Sequence, residues 1–205
     1  MDLTTRGRVL VRLNVDGDPL SIDPTDADDP IAAWLDEAVT YWSARAVKDM
    51  NRQVTLATYT EYLDVEPNQH VWSLKAYPVT TVSQVTHDTQ RDFDSGDLDS
   101  DDYSCQTGCG LLRVDGYYTH PAPGALRVIY RGGMSATGGA TFAAAYPDLA
   151  GALDMQIAYA YTRRGREGQE SVSTGVGQSS YIGAMDWLPH VRSVLRQYRR
   201  VDVGR

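Results

Sequence analysis

The sequence predicts an α+β fold: a helical scaffold of three to four helices, split by an inserted antiparallel β subdomain, with an extended C-terminal arm ending in a short helix. Three observations carry this. Apolar residues recur at helical spacing near the start, from Pro30 to about Met50, and again after Pro147. Between Gln53 and Gly132 the chain turns to threonine, tyrosine and valine, which suit a pleated surface. The closing stretch LPHVRSVLRQYRRV returns to one apolar stripe among arginines.

With 205 residues, 42% of them hydrophobic and 22% charged, the chain is long enough to bury one or two cores. No apolar run approaches the roughly 20 residues of a spanning helix, so no membrane is expected as a partner. The start, MDLTTRGRVLVRLNVDG, lacks the apolar stretch of a secretory signal, so the chain is expected to stay in the compartment where it is made.

The first helix is expected over Arg8 to Leu13, where Val9, Leu10 and Leu13 share a face. Asn14 to Pro30 reads as a loop with three prolines and no periodicity. Asp28 or Asp29 caps the next helix, Pro30 stands in its first turn, and Ile31, Leu35, Ala38 and Trp42 form its core stripe. In the β region, Pro78 makes its stretch an edge strand or two strands with a kink, and YSCQTGCGLLRVDG reads as a hairpin turning at Thr107-Gly108. GGMSATGGATFAAA, Gly132 to Ala145, reads as a flexible connection. Pro147 opens a helix that buries Leu149, Leu153 and Ile157 and stops near Gly165 or Gly168. SVSTGVGQSSYIGAMD is expected as an irregular, partly extended arm, and Pro189 stands in the first turn of the last helix. The expected divisions are 1–52 (N-terminal part of the scaffold), 53–132 (β insertion), 133–170 (linker and central helix) and 171–205 (arm and docking helix).

Catalytic chemistry finds no foothold. The four histidines, His70, His87, His120 and His190, are scattered, and none stands four residues from another as a helical zinc pair requires. Cys105 and Cys109 flank a tight turn that could bring their sulfurs into disulfide range, but with no sign of export they are expected as free thiols, and a zinc site would need two further ligands that nothing nearby supplies. DSGDLDSDD alternates like a calcium loop but lacks the terminal glutamate. Neither a phosphate-binding lysine motif nor a nucleophile elbow occurs. The expectation is a protein with no catalytic residue, no metal and no cofactor.

Charge is unevenly distributed in a chain of net charge -8. Asp16 to Glu37 carries eight carboxylates and no lysine or arginine, and Asp88 to Asp102 carries seven aspartates and one arginine. From Arg163 to Arg205 eight arginines stand against four carboxylates. On the last helix Leu188, Val191, Leu195 and Tyr198 fall on one face, while Arg192, Arg196, Arg199 and Arg200 spread over the rest. That stripe needs a surface, either the subunit's own core or a partner.

The ordered segments "LTTRGRVLVRL", "DDPIAAWLDEAVTYWSARAVKDMNRQV", "YPVTTVSQV", "GALRVIYRGGM", "YPDLAGALDMQIAYAYTRRG" and "LPHVRSVLRQYRR" resemble the head-tail connector, or adaptor, proteins of tailed bacteriophages. The resemblance covers most of the chain. Its most specific parts are the proline-opened helix ending in Arg163-Arg164-Gly165 and the closing Leu188-Pro189 to Tyr198-Arg199-Arg200. The long acidic loop before the second helix and the extended β region depart from shorter members. The resemblance implies a structural virion protein at the head-tail interface, made in the host cytoplasm. It further implies a ring, expected to be a dodecamer, beneath the portal vertex, with the portal protein on one side and a stopper or tail-completion protein on the other. Double-stranded DNA would pass through the ring without sequence-specific binding. Carried onto this chain, Leu188, Val191, Leu195 and Tyr198 become apolar anchors for the portal, and Arg192, Arg196, Arg199 and Arg200 meet its acidic or carbonyl-rich surface. The competing expectation is a nucleic-acid-binding module that uses the arginine-rich C-terminus.

Overall fold

The computed structural model describes residues 1–13, 29–116, 121–164, 171–174, 177–180 and 186–200. The acidic segment 14–28 and the expected helix stops Gly165 and Gly168 lie outside the described residues. The chain forms two compact units, Met1–Met50 with Gly138–Tyr198, and Asn51–Thr137 with Arg199–Arg205. The expected divisions after residues 52 and 132 therefore move to Met50 and Thr137. The expected separate division at 171–205 is replaced, because the last helix belongs to the helical unit.

The helical unit contains α1 (Arg6–Leu13), α2 (Pro30–Met50), α3 (Gly139–Ala145), α4 (Pro147–Arg163) and α5 (Pro189–Gln197). Its centre is α4, which touches all four other helices. That position calls for apolar surface on most sides, and α4 buries Leu149, Ala150, Ala152, Leu153, Ile157 and Ala160, together with the ring of Tyr161. Against it α2 buries Leu35, Ala38, Val39, Trp42, Ala46 and Met50, with Ile31 half-buried at the first turn. Asp29 caps α2, its Oδ1 accepting the Ile31 N–H at 2.7 Å.

Two polar side chains of α4 are also buried, Asp154 and Gln156. Two residues apart on a helix is a rotation of about 200°, so they face opposite sides. On one side Asp154, 4% exposed, accepts hydrogen bonds from the Thr4 hydroxyl and from Arg8, whose Nε lies 3.1 Å from Oδ2. A second Arg8 nitrogen reaches the same oxygen at 3.0 Å. The carboxylate thereby joins the chain's first residues to α4, where Leu3, Val9 and Leu10 are buried. Arg6 adds an ion pair to Asp36 of α2 at 3.0 Å.

The expected flexible connection from Gly132 to Ala145 is corrected: its second half is helix α3, which buries Phe142 and Ala143. Its glycines serve close approach instead. A Cβ on Gly138 would stand 2.5 Å from the Asp2 carbonyl oxygen, and Gly139, at φ +61°, donates its N–H to that same oxygen at 2.7 Å. The expected partly extended arm is extended over its described residues, where β7 (Ser171–Thr174) and β8 (Gly177–Ser180) pair as an antiparallel hairpin.

The second unit holds two antiparallel three-stranded sheets. One has the order β1 (Ala57–Val65), β6 (Ala122–Gly132), β3 (Val79–His87); the other β2 (Val71–Ser73), β5 (Leu111–Val114), β4 (Tyr103–Gln106). Pro78 thus falls between two strands of different sheets. The expected hairpin is β4–β5, closed by the pair Gln106↔Leu111. Trp72, Leu74, Ala76, Leu112 and Val114 share one core with Val85, Leu126, Val128 and Tyr130. Polar links cross it: the Trp72 indole N–H donates to the Asp64 carbonyl at 2.7 Å, and the Tyr130 hydroxyl accepts the Ala76 N–H at 2.9 Å while donating to Glu61. Burial first, and then Glu61, push the Tyr130 hydroxyl far above its ordinary pKa, so it stays a donor.

Arg8→Ala would leave the Asp154 carboxylate buried with Thr4 as its remaining side-chain partner. Stability should fall by about 3 kcal/mol, measured by chemical denaturation. Arg6→Ala, which removes a pair with a well-exposed aspartate, should cost under about 1 kcal/mol.

Candidate functional site

The expected docking helix is α5, and its local build follows from sequence. Leu188 is its N-cap and Pro189 supplies the first turn, where a missing N–H costs nothing. The apolar residues fall on one side as the spacing predicts, but the surface covering them belongs to this chain. Val191 is 0% exposed and Leu195 4%, with Val194 beside them, and α5 packs on α4 and α2. The expectation that Val191 and Leu195 stand ready as portal anchors is therefore corrected. An intramolecular groove reaches the stripe first.

Three side chains that sequence reasoning did not single out hold this arrangement. Gln156 clamps the approach to α5 from α4: its Nε2 donates to the Asp186 carbonyl and its Oε1 accepts the Leu188 N–H, both at 2.9 Å. Trp187 is buried, its ring 4.8 Å from that of Trp42, and its indole N–H donates to Asp49. The guanidinium of Arg45 lies over both rings, 5.2 Å from Trp42 and 5.3 Å from Trp187. The available signal was Trp187 itself, the one tryptophan that follows Trp72 in the chain.

The remaining expected site residues divide. Leu188 and Tyr198 are half-buried, and the Tyr198 hydroxyl donates to the Asp148 carboxylate at 2.7 and 2.8 Å. Arg200 binds within the β-rich unit, its Nε donating to Ser73 Oγ at 2.9 Å and another nitrogen to the Ser73 carbonyl. Arg192 and Arg196 stand exposed on the outer side of α5, and Arg199 is exposed beyond it. Among the described residues none of these three has an ion-pair partner. What α5 offers the outside is charge.

The second charged feature is the acidic loop from Asp88 to Asp102. Two of its aspartates are spent on its own backbone and neighbours. Asp88 accepts the N–H groups of Gln90 at 2.8 Å, Asp92 at 3.1 Å and Phe93 at 2.8 Å. Asp97 accepts from Thr86 Oγ1 at 2.6 Å and from Gln84 Nε2 at 2.8 and 2.9 Å, which ties the loop to β3. These bonds set the titration. A hydrogen bond from the Asp92 carboxyl, followed by the backbone N–H groups, lowers Asp88 from its ordinary 3.8 to about 2, and Asp92 rises correspondingly. Among the described residues no group of three or more potential metal ligands gathers. Cys105 and Cys109 are free, and burial pushes the Cys105 thiol up.

Trp187→Ala should cost about 3–5 kcal/mol by denaturation, whereas Trp187→Phe, which keeps a ring and loses the Asp49 bond, should cost much less. Deletion of residues 186–205 should lower the melting temperature steeply, because it exposes the faces of α2 and α4 that Trp187, Val191 and Leu195 cover. In the acidic loop, the hydrogen bonds need the Asp88 carboxylate. Its lowered pKa makes their stabilisation full above about pH 4 and lost as pH falls through about 2. The amide resonances of Gln90, Asp92 and Phe93 should shift together over that interval, and in Asp88→Ala they should lie at their low-pH positions at neutral pH.

No protein-family model matches the sequence, and no curated protein matches it. Solved structures do. A chain in the virion of a native gene transfer agent particle aligns with a TM-score of 0.50 at 16% identity, covering 100% of this chain and 96% of that one. Chains from the neck of the native particle, computed with C12 symmetry, and the neck of the empty particle, computed with C6 symmetry, align with TM-scores of 0.48 and 0.49 at 14% and 13% identity, over the same shares. From end to end, the α+β fold of this chain is shared with a chain of the native particle's virion.

Proposed function

We propose that the protein is a structural component of a virion, a head-tail connector or adaptor whose copies form a ring beneath the portal and let DNA pass towards the tail. The observation that carries this reading is the full-length likeness to a chain of the gene transfer agent virion, which spans both units and nearly the whole of that chain. The ordered sequence segments that resemble phage connector proteins support it independently of the structure. So does the charge: an acidic ring repels phosphate and lets the genome slide, whereas a basic lining would hold it.

In this reading the portal meets the outer side of α5 through Arg192 and Arg196, with Arg199 following in sequence, while Val191 and Leu195 keep that helix in place. Arginine suits the role because its planar fork pairs carboxylates and carbonyl oxygens with defined geometry. A stopper or tail-completion protein takes the opposite side of the ring, and the assembled complex resides in the virion after assembly in the host cytoplasm. A dodecamer would match the expected symmetry of the site beneath the portal.

The mass of the purified protein, alone and mixed with portal rings, tests the assignment. The expected result is a ring on the portal. Arg192→Glu with Arg196→Glu should leave the melting temperature within a few degrees of the parent and lower portal affinity at least tenfold. Unchanged portal binding would remove the α5 assignment. A salt-dependent shift of DNA by the isolated protein, with no binding to portal, would favour a nucleic-acid-binding module instead.

A further inference from the structure

A ring of identical copies joins head to tail, so each copy must carry two different surfaces that match each other. Two surface features of this chain have complementary character. The first is an open groove of about 890 Å³ beside α1 and α4 in the helical unit. Its lining includes Arg8, Val11, Arg12, Leu13, Tyr159 and Thr162. Val11 is 69% exposed, an aliphatic side chain left in water on the same short helix that buries Val9 and Leu10. Arg12 is exposed, and among the described residues it has no ion-pair partner.

The second feature is the acidic loop of the β-rich unit. Asp88 and Asp97 hold its backbone, as described above, which leaves Asp94, Asp99, Asp101 and Asp102 exposed. Asp99 and Asp102 are further drawn together by a backbone hydrogen bond of 2.9 Å from the Asp102 N–H to the Asp99 carbonyl. The loop presents like charges on a fixed frame, with Arg91 as the one cation from Asp88 to Asp102. Such a frame pairs with a cationic surface at little ordering cost, and the crowded carboxylates gain by meeting one.

We propose that the α1–α4 groove receives the acidic loop of the next copy, with Arg12 meeting the carboxylates around Asp99 to Asp102 and Val11 covered by the contact. This rests on the ring reading above and identifies the surfaces that close the ring.

Native mass measurement and sedimentation at low and high salt test it on the full chain. The parent should assemble at low salt and dissociate as salt screens the contact. Arg12→Glu alone should give monomer with an unchanged melting temperature, and so should Asp99→Lys with Asp101→Lys and Asp102→Lys. The two sets mixed within one chain should restore the ring, because the charges again oppose. Assembly that survives either set, or monomer that persists when both are combined, overturns the interface. If the variants keep the ring and lose portal binding, the groove belongs to the portal and the proposal fails. A groove that serves the chain's own residues 14–28 would show as a lowered melting temperature in Arg12→Glu with unchanged mass, and that also overturns it. A parent that stays monomeric both alone and on portal rings sinks the ring reading itself, and is distinguished from the other outcomes by involving no substitution.

Discussion

Helix α4 sits in the middle of the helical unit with two buried polar side chains, each paired to a segment distant in sequence. Asp154 is held by Thr4 and Arg8, and Gln156 by the backbone of Asp186 and Leu188. Each would cost a great deal if left unpaired, since a desolvated carboxylate or amide without partners is penalised by several kcal/mol. The requirement works in both directions. It forces the N-terminal segment onto one side of α4 and the approach to α5 onto the other, so residues far apart in sequence are specified by groups two positions apart on one helix. Apolar burial supplies most of the stability here, but it is non-directional. The polar pairs set which segment lies where.

That constraint decides what the outer surface is made of. With Val191, Val194, Leu195 and Trp187 inside, α5 turns Arg192 and Arg196 outward. In the β-rich unit the same logic operates through Asp88 and Asp97, which consume two carboxylates to build a loop and leave others pointing into solvent. Both features are charged groups displayed on ordered frames. Electrostatic surfaces of this kind contribute orientation and association rate more than raw affinity, which suits subunits that must find one register among many.

Much of the architecture was readable from periodicity. Pro30 and Pro147 mark helix starts for a physical reason, and the long apolar stripes behind them need burial whatever their neighbours are. The β region announced itself by composition, but its division into two sheets did not, although Pro78 lies between strands of the two. Helix α3 escaped because glycines 138 and 139 look like a linker, although they are required where the Asp2 carbonyl comes within 2.5 Å of a would-be Cβ. Gln156 escaped because a polar residue inside an amphipathic pattern looks like a surface position until its backbone partners, some thirty residues on, are known. Asp88 escaped for a similar reason: DTQRDFDSGDLDSDD has the composition of a solvated loop, and composition does not reveal that one carboxylate gathers three N–H groups. The outer arginines of α5 were legible; which surface covers its inner side was not, because a stripe has the same spacing whether it faces its own core or a neighbour's.

Magnitudes explain why the inner side stays at home. Burying Trp187, Val191, Val194 and Leu195 is worth about 1.5–3 kcal/mol for each side chain before ordering costs. The competing partner would have to match that sum, and also make up for the opened Gln156, Asp49 and Asp148 contacts. An attached segment meets its own groove at a high effective concentration, which a free partner reaches only when it is itself gathered into a ring. Exposed arginines face no such competition. An isolated surface ion pair is worth at most about 1 kcal/mol, but repeated around a closed ring the contacts act together, since docking one copy places the others. In the proposed ring, a subunit that keeps its apolar stripe and offers only its charged side would bind as part of the assembly without sacrificing any part of its own core.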